Sequence, residues 1–148
     1  MSMGADTPAP PAVFTRDKLI RFHHCDPAGI VFYPQYFVLF NELVEDWFTH
    51  GLHEDYDYAT MIAVDRVGVP MAHVDCDFVS PSKIGDTLRL ELRVKRVGRT
   101  SLALYVEGSS RGELRVKANL VVVFASLEGT RAVPIPAHVR EHIERFLH

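Results

Sequence analysis

The stretch from Arg21 to Phe48 reads RFHHCDPAGIVFYPQYFVLFNELVEDWF, and it decides the fold of this chain. A polar cluster ends at Asp26, a Pro-Ala-Gly turn follows, and Pro34 opens an unusually apolar segment. One carboxylate therefore stands just ahead of a helix start, where the chain must turn sharply. We expect the chemistry of the protein at this place.

Residues 34–50 have the pattern of a deeply buried helix. Aromatic and aliphatic side chains recur three or four residues apart and cover most of the circumference. The principal positions are Tyr36, Phe40, Leu43 and Trp47, widened by Phe37, Val38, Leu39, Val44 and Phe48. Pro34 suits the first helical position because its missing N–H has no partner there, and Gly51 suits the end. We therefore predict a helix that other elements wrap.

Short strand patterns separated by turns occupy most of the remaining chain. The predicted elements are a strand over 13–22, a loop over 53–58, a short helix or irregular segment over 59–67, strands over 69–79, 87–97, 101–107 and 113–126, and a helix over 136–146. The short turns imply antiparallel pairing of the strands.

An antiparallel sheet has an apolar face to cover, and only the 34–50 helix is large and apolar enough to cover it. Residues 120–125 are continuously apolar, which predicts that the last strand is central in the sheet. The expected fold class is α+β, with one antiparallel sheet on one long helix.

Bulk composition limits the class of protein. A length of 148 residues fits one domain, which we place at 13–148 after a disordered, proline-rich leader at 1–12. The net charge of −3 gives no basic bias towards nucleic acid or an anionic membrane, and no apolar run reaches the roughly 20 residues of a membrane span. Cys25 and Cys76 are expected as free thiols, which favours a cytoplasmic location.

Residues 26–34, DPAGIVFYP, carry a resemblance to a known family. They closely resemble the active-site stretch Asp-(Pro or Ala)-x-Gly-x-Val-x-Tyr-Pro of the 4-hydroxybenzoyl-CoA thioesterase family. Weaker similarities follow at residues 80–81, 85–88, 98–101 and 132–136. The resemblance implies the hotdog fold, in which a curled antiparallel sheet wraps a long central helix. It also implies hydrolysis of an aromatic, 4-hydroxybenzoyl-type acyl-CoA or of a short-chain acyl-CoA.

The resemblance further implies roles for three residues. Asp26 would act as the nucleophile or as the general base, and both roles remain open. The backbone N–H of Tyr33 would stabilise the oxyanion at the helix start, and Gly29 would let the thioester approach the backbone. Asp-Pro-x-Gly is also turn chemistry on its own, so a purely structural Asp26 is the alternative.

The consecutive side chains His23, His24, Cys25 and Asp26 have the chemistry of metal ligands. We expect no metal, because neighbours along a strand alternate between its two faces and do not converge on one ion. The same alternation predicts that His24 lies on the side of Asp26 and orients the carboxylate or a water. Cys25 would point away, which disfavours a cysteine nucleophile.

The phosphates of CoA predict basic side chains near the site. Lys83 and Arg99 are candidates for this role, and Ser101 is a candidate for contact with the pantetheine arm. The exposed edge of a hotdog sheet and the pairing of sheets in the family imply a homo-oligomer, either a dimer or a tetramer. His73 would then line the acyl pocket from the partner chain. No cofactor is expected, since CoA is part of the substrate.

Two other functions remain open. A hotdog enoyl-CoA hydratase uses an Asp and a His in the turn before the central helix, whereas Asp46 and His50 have a similar spacing at its far end. A non-catalytic acyl-CoA binding protein is the third candidate. A second branch of hotdog thioesterases takes its carboxylate from the helix, but we expect Glu42, Glu45 and Asp46 to form a solvated or interface-facing strip.

Overall fold

A five-stranded antiparallel sheet is the largest element of the computed structural model, which describes residues 9–53 and 57–148. The strands are β1 (Phe14–Leu19), β2 (Val67–Gly68), β3 (Met71–Phe78), β4 (Thr87–Val97), β5 (Ser101–Ser110), β6 (Glu113–Val123) and β7 (Ala125–Ser126). The helices are α1 (Pro34–Asp46), α2 (Tyr58–Thr60) and α3 (Ala137–Glu144). Wider helical turns extend α1 over Trp47–Gly51 and α2 over Met61–Asp65.

The strand order in the large sheet is β1-β4-β5-β6-β3, and every neighbouring pair is antiparallel. The small strands β2 and β7 pair with each other. The predicted antiparallel sheet is therefore confirmed. The last long strand, β6, lies inside the sheet between β5 and β3, as predicted, although β5 occupies the middle. Val121 and Val123 face outwards and are only half-buried, so the apolar run 120–125 does not have two covered faces.

Alternation of inward- and outward-facing side chains along the three longest strands, interrupted by register shifts in β4 and β6, builds the core. The inward-facing side chains are Leu88, Leu90, Leu92 and Val94 of β4, Leu102, Leu104 and Val106 of β5, and Val116, Ala118, Leu120 and Val122 of β6, all of them buried. Burying one valine, leucine or isoleucine side chain completely stabilises a fold by about 1.5–3 kcal/mol. This face of the sheet therefore needs a large apolar cover.

The helix α1 and its extension supply that cover, as predicted. Their most deeply buried side chains are Leu39, Phe40, Leu43, Trp47 and Phe48. The Trp47 ring lies edge-on to Phe146 with centroids 5.5 Å apart, and Phe48 lies edge-on to Phe124 at 5.8 Å. The aromatic end of the helix is thus held between the sheet and the C-terminal segment, which makes an α+β fold with the arrangement of a hotdog.

One side of α1 is open, although the apolar pattern of residues 34–50 covers most of the helix circumference. Phe37 and Val38 are 37% and 49% exposed. Together with Met71–Val74 of β3 they line a groove of about 630 Å³. Periodicity cannot distinguish a helix face covered by its own chain from one left for another molecule, and this explains the difference.

The ends of several elements also differ from prediction. The first strand stops at Leu19, and Phe22–His24 form a single tight helical turn. Residues 54–56 of the predicted loop and residues 1–8 of the predicted leader lie outside the described residues. At the end of that leader, the Ala12 N–H donates to the Arg145 carbonyl at 2.8 Å. None of the helices in the described part of the chain is long and apolar enough to cross a membrane.

Candidate active site

Asp26 sits in a tight turn just before α1. Its backbone N–H donates to the Ile30 carbonyl at 3.0 Å, and its own carbonyl accepts from the Gly29 N–H at 2.9 Å. Its side-chain Oδ1 accepts from the Ala28 N–H at 2.9 Å. Gly29 has a φ of 78°, a conformation that favours glycine. A Cβ there would meet nothing within 4 Å, so the backbone conformation rather than crowding requires glycine.

The start of α1 presents a backbone N–H that no group in the described part of the chain uses. Pro34 has no N–H, the Gln35 N–H donates to the Phe32 carbonyl at 2.8 Å, and the Tyr36 N–H donates to the Tyr33 carbonyl at 3.1 Å. Among the described residues, nothing accepts a hydrogen bond from the Tyr33 N–H. Because helix N-termini carry partial positive charge, this N–H suits an oxygen on which negative charge develops.

The loop between β3 and β4 lies against the Asp26 turn. The Val31 N–H donates to the Ser82 carbonyl at 2.9 Å, and the Ile84 N–H donates to the Gly29 carbonyl at 3.1 Å. Lys83 forms an antiparallel bridge with the same turn, and its side chain is exposed. Of the predicted site residues, the structure brings together Asp26, Gly29, Tyr33 and Lys83.

His24 is tied into the helical turn that precedes Asp26. Its Nδ1 accepts from the Arg21 N–H at 2.9 Å, and its carbonyl accepts from the Phe32 N–H at 2.9 Å. Burial, and then the neighbouring His23 ring at 4.1 Å, lowers the pKa of His24. The neutral imidazole with a free Nδ1 lone pair is therefore the form that fits this position, with its proton on Nε2.

The strand alternation that placed His24 beside Asp26 is wrong, because Phe22–His24 form a helical turn. His24 instead lines a cleft together with Lys18 of β1 and Glu42 of α1. A run of four polar residues carries no periodicity from which a helical turn could have been recognised.

Cys25 is a poor nucleophile where it stands. Its Sγ donates to the Arg21 carbonyl at 3.5 Å. Burial, and then the nearby Asp26 carboxylate, raises the pKa of the Cys25 thiol, which disfavours the reactive thiolate. Within residues 9–53 and 57–148, no group of three or more His, Cys, Asp or Glu side chains is arranged to hold a metal ion.

The other predicted substrate-binding residues lie away from Asp26 in the same chain. Arg99 and Ser101 lie at the turn between β4 and β5, at the end of β4 opposite to the Asp26 turn. The 11 residues of β4 span roughly 35 Å. His73 lies on the edge strand β3, where its Nε2 is 3.1 Å from Asp75 Oδ2. A site that uses Arg99 or Ser101 together with Asp26 would need a second chain.

Exposed apolar side chains surround the Asp26 turn and the start of α1. They are Leu19, Phe22, Phe32, Tyr33, Phe78, Val79 and Ile84. The Tyr33 ring lies edge-on to Phe78 with centroids 5.9 Å apart, which joins the start of α1 to the end of β3. A cluster of exposed apolar side chains is typical of a surface that contacts a ligand or another chain.

Glu42 and Asp46 of the acidic strip on α1 face β1 rather than the Asp26 turn, and Glu45 is exposed. Lys18 Nζ is 3.2 Å from Asp46 Oδ2 and 3.5 Å from Glu42 Oε1. Asp46 and His50, the pair considered for a hydratase, lie at the end of the helix away from Tyr33. The Asp46 carboxylate forms an ion pair with Lys18.

A buried polar cluster beneath the turn was missed by sequence reasoning. Arg115 Nη1 donates to the Pro81 carbonyl at 2.8 Å and to Asp86 Oδ2 at 3.0 Å. Asp86 Oδ2 also accepts from the Lys83 N–H at 2.9 Å, and this bond, followed by Arg115, lowers the pKa of the Asp86 carboxyl. The only signal in the sequence is Gly85-Asp86 ahead of β4, a pair that on its own is typical of a turn.

Known proteins share the sequence pattern of this chain. The profile of the thioesterase-like superfamily matches residues 20–143. The 4-hydroxybenzoyl-CoA thioesterase of a Pseudomonas species is 30% identical over 132 residues, covering 83% of this chain and 92% of that protein. The 1,4-dihydroxy-2-naphthoyl-CoA hydrolase of Synechocystis is 23% identical over 125 residues, covering 83% of this chain and 88% of that protein.

Solved structures share its fold. A variant of 4-hydroxybenzoyl CoA thioesterase complexed with 4-hydroxybenzoyl CoA superposes with a TM-score of 0.78 at 26% identity, covering 90% of this chain and 98% of that one. A thioesterase superfamily protein from Jannaschia superposes with a TM-score of 0.84 at 23% identity, covering 96% and 98%. The predicted hotdog fold and the predicted family resemblance are confirmed.

Proposed function

The chain belongs to the thioesterase-like superfamily, and from this membership we propose that it hydrolyses the thioester of an aromatic acyl-CoA. A short-chain acyl-CoA is the second substrate class. One observation carries the assignment of the site: the Asp26 carboxylate and the unpaired Tyr33 N–H belong to one short segment, bordered by exposed apolar side chains. The products are the free acid and CoA.

Asp26 acts on the acyl carbon in one of two ways. As nucleophile, its carboxylate attacks that carbon and expels the CoA thiolate, and water then cleaves the acyl-aspartyl anhydride. As general base, it takes a proton from the water that attacks the same carbon, and CoA leaves as the thiol after protonation. Each route consumes one water molecule and returns Asp26 to its starting state.

The Tyr33 N–H stabilises the negative charge that develops on the thioester oxygen. Its location at the N-terminal end of α1 adds the favourable partial charge of the helix. Loss of a single oxyanion donor typically lowers turnover by about 10²–10³. Gly29 contributes through its φ of 78°, which holds the turn in a shape that other residues adopt only with strain.

The acyl group lies on the open side of α1. The groove between α1 and β3 is lined by apolar side chains, with Asn41 and His73 as its polar groups. A flat aromatic ring fits such a surface, and a ring hydroxyl could pair with either polar group. The relatives named for 4-hydroxybenzoyl-CoA and 1,4-dihydroxy-2-naphthoyl-CoA support an aromatic acyl group.

A second copy of the chain completes the site, in a homodimer or a homotetramer. Among the described residues, β3 pairs with β6 only, so its other edge is open to a further strand. Pairing there would cover Phe37 and Val38 and would let one chain supply binding groups to the other's Asp26. Lys83 and Arg99 then bind the CoA phosphates, and the free thiols Cys25 and Cys76 favour the cytoplasm as the compartment.

Thiol release from a panel of acyl-CoAs tests the proposal. The panel contains 4-hydroxybenzoyl-, 1,4-dihydroxy-2-naphthoyl-, benzoyl-, acetyl- and butyryl-CoA, together with crotonyl-CoA as a probe of hydration. We expect the highest kcat/KM with an aromatic thioester and its loss in Asp26→Asn. Hydration of crotonyl-CoA without thiol release would indicate an enoyl-CoA hydratase instead. Tight CoA binding without either reaction would indicate an acyl-CoA binding protein.

A further inference from the structure

A bulge in β6 turns Arg115 into the protein. The register between β5 and β6 shifts so that Gly108 pairs with Val116 and Ser109 pairs with Leu114, which leaves Arg115 without a partner. Arg115 and Val116 are both buried, although neighbours on a regular strand face opposite sides. Bulges redirect side chains in this way, and they are frequent next to active sites.

The redirected Arg115 holds the loop beneath the Asp26 turn. Its Nη1 donates to the Pro81 carbonyl at 2.8 Å, to Asp86 Oδ2 at 3.0 Å and to Ser82 Oγ at 3.3 Å. Its backbone carbonyl accepts two further N–H groups from the start of the same loop. A buried guanidinium is tolerated only with such partners, so this loop and Arg115 stabilise each other.

Ser82 connects the loop to both halves of the proposed site. Its carbonyl accepts from the Val31 N–H at 2.9 Å, which fixes the end of the Asp26 turn. Burial raises the pKa of the Tyr36 hydroxyl, and the Ser82 hydroxyl beside it acts in the opposite direction. Tyr36 belongs to the first turn of α1, and its N–H donates to the Tyr33 carbonyl at 3.1 Å. Ser82 and Tyr36 are buried, with 0% and 4% exposure.

We propose that Arg115, Ser82 and Tyr36 form a clamp that fixes the Asp26 carboxylate relative to the Tyr33 N–H, and that they are positioning residues for thioester hydrolysis. The proposal rests on the proposed function of Asp26 and Tyr33. The Ser82 carbonyl holds the Asp26 turn, and the Ser82 side chain lies against Tyr36 in the first turn of α1. Loosening it changes the distance between the two reacting groups without removing either.

Tyr36→Phe is the sharpest test, because it removes only the hydroxyl that lies beside Ser82. Since misplacement by about 1 Å can cost about 10² in rate, we expect kcat to fall by about tenfold to a hundredfold while KM stays within about twofold. Tyr58→Phe is the matched control. The Tyr58 hydroxyl lies beside the backbone of Val69, and its half-buried ring packs on Phe48 beyond the other end of α1. This control should leave kcat and KM unchanged.

Arg115→Lys and Arg115→Met test the base of the clamp. Lysine keeps the charge, but its shorter side chain and single ammonium group reproduce the guanidinium contacts only in part, so kcat should lie between those of wild type and Arg115→Met. Arg145→Lys is the control, because Arg145 Nη2 donates to the Gly51 carbonyl at 3.2 Å, beyond the C-terminal end of α1. A general loss of folding would affect both lysine variants, whereas loss of the clamp affects kcat in the Arg115 variants alone.

Amide hydrogen exchange, measured by NMR, reports how firmly the clamp holds the Asp26 turn in the absence of substrate. We expect the Val31 N–H to exchange about tenfold faster in Tyr36→Phe and Arg115→Lys, and the Leu104 N–H in β5 to keep its wild-type rate. Suppose that the wild-type protein shows Asp26-dependent hydrolysis. If Tyr36→Phe then has the same Val31 N–H exchange rate or the same kcat as Tyr58→Phe, the proposed clamp is contradicted. If wild type releases no thiol from any acyl-CoA, the proposed function fails, and the catalytic role of the clamp fails with it.

Discussion

Asp26 Oδ1 accepts a hydrogen bond from the Ala28 N–H at 2.9 Å, so the turn uses one oxygen of this carboxylate. Among the described residues, the second oxygen, Oδ2, has no hydrogen-bond partner. The structural and the catalytic interpretations of Asp26 are therefore compatible. The turn bond holds the carboxylate in one orientation, and the remaining oxygen is the one that can attack the acyl carbon or accept a proton from water.

The oxyanion role of the Tyr33 N–H can be tested by changing the backbone alone. Replacing Tyr33 with the hydroxy-acid analogue of tyrosine removes the N–H and keeps the side chain. We expect kcat to fall by about 10²–10³, because one oxyanion donor is lost. Steady-state thiol release measures the effect.

Tyr33→Phe is the control for this replacement, because it keeps the N–H and removes only the exposed hydroxyl. Its kcat should stay within about threefold of wild type. Equal loss of activity in Tyr33→Phe and in the hydroxy-acid variant would mean that the side chain, not the N–H, is what the reaction uses.

Gly29→Ala should lower both stability and turnover. The φ of 78° at Gly29 costs an L-residue about 1–2 kcal/mol, although the added methyl group has open space. Gly112→Ala is a matched control, because Gly112 has a φ of 75° and equally open surroundings in a turn between β5 and β6. Urea unfolding should show similar losses for both variants, whereas only Gly29→Ala should lower kcat. If kcat were lowered in both Gly29→Ala and Gly112→Ala, the loss of turnover would be explained by lower stability alone.

His24 should make the fold weaker in mild acid. Burial lowers the pKa of His24 in the folded state below its ordinary value of 6.5. The stability that neutral His24 contributes is therefore complete above pH 6.5 and is lost as the pH falls towards the folded pKa. Protonation also removes the Nδ1 acceptor of the Arg21 N–H bond. The free energy of unfolding, measured from pH 8 to pH 5, reports this loss.

His24→Asn isolates this contribution, because the asparagine Oδ1 can replace the Nδ1 acceptor and does not titrate. We expect the variant to have a flatter stability profile below pH 6.5 than wild type. Parallel profiles of the two proteins would show that other groups cause the acid dependence.

The proposed contribution of Arg99 from a second chain predicts complementation in mixed oligomers. Arg99→Ala should raise KM with little change in kcat, because it removes a contact to CoA rather than to the reacting atoms. In a dimer of one Asp26→Asn chain and one Arg99→Ala chain, one site carries both defects and the other carries neither. Such mixed dimers should regain about half of the wild-type activity at low acyl-CoA concentration. Activity no greater than the average of the two parent variants would contradict a contribution of Arg99 from the second chain. Arg99 would then either act in the same site as Asp26 of its own chain or take no part in binding CoA.

The large elements could be predicted because their periodicity follows from burial. Leucine and valine alternate with charged residues along 87–97, and the observed strand is Thr87–Val97. The helix after Pro34 has apolar side chains at helical spacing, and only a buried helix gains from such a pattern. The candidate carboxylate and the helix start could be located from local chemistry, because Asp26 and Pro34 flank a Pro-Ala-Gly turn and proline favours the first position of a helix.

Features that depend on tertiary contacts could not be predicted. The helical turn Phe22–His24 is stabilised by bonds to residues on both sides of it, and no local periodicity indicates it. Arg115 turns inwards because of a register shift between two strands, which a single strand's sequence does not reveal. The open face at Phe37 and Val38 has the composition of a buried face, because burial by another molecule selects the same residues.

Asp26→Asn tests the central claim most directly. Asparagine keeps an oxygen that can accept from the Ala28 N–H, so the turn should persist and the free energy of unfolding should change by less than about 0.5 kcal/mol. Asp57→Asn is the control, because Asp57 Oδ1 likewise accepts a backbone N–H, from Thr60, in another turn. We predict that kcat/KM for the best acyl-CoA falls by at least about 10² in Asp26→Asn and is unchanged in Asp57→Asn. A kcat/KM for Asp26→Asn equal to that of Asp57→Asn would contradict the assignment of Asp26 as the acting carboxylate.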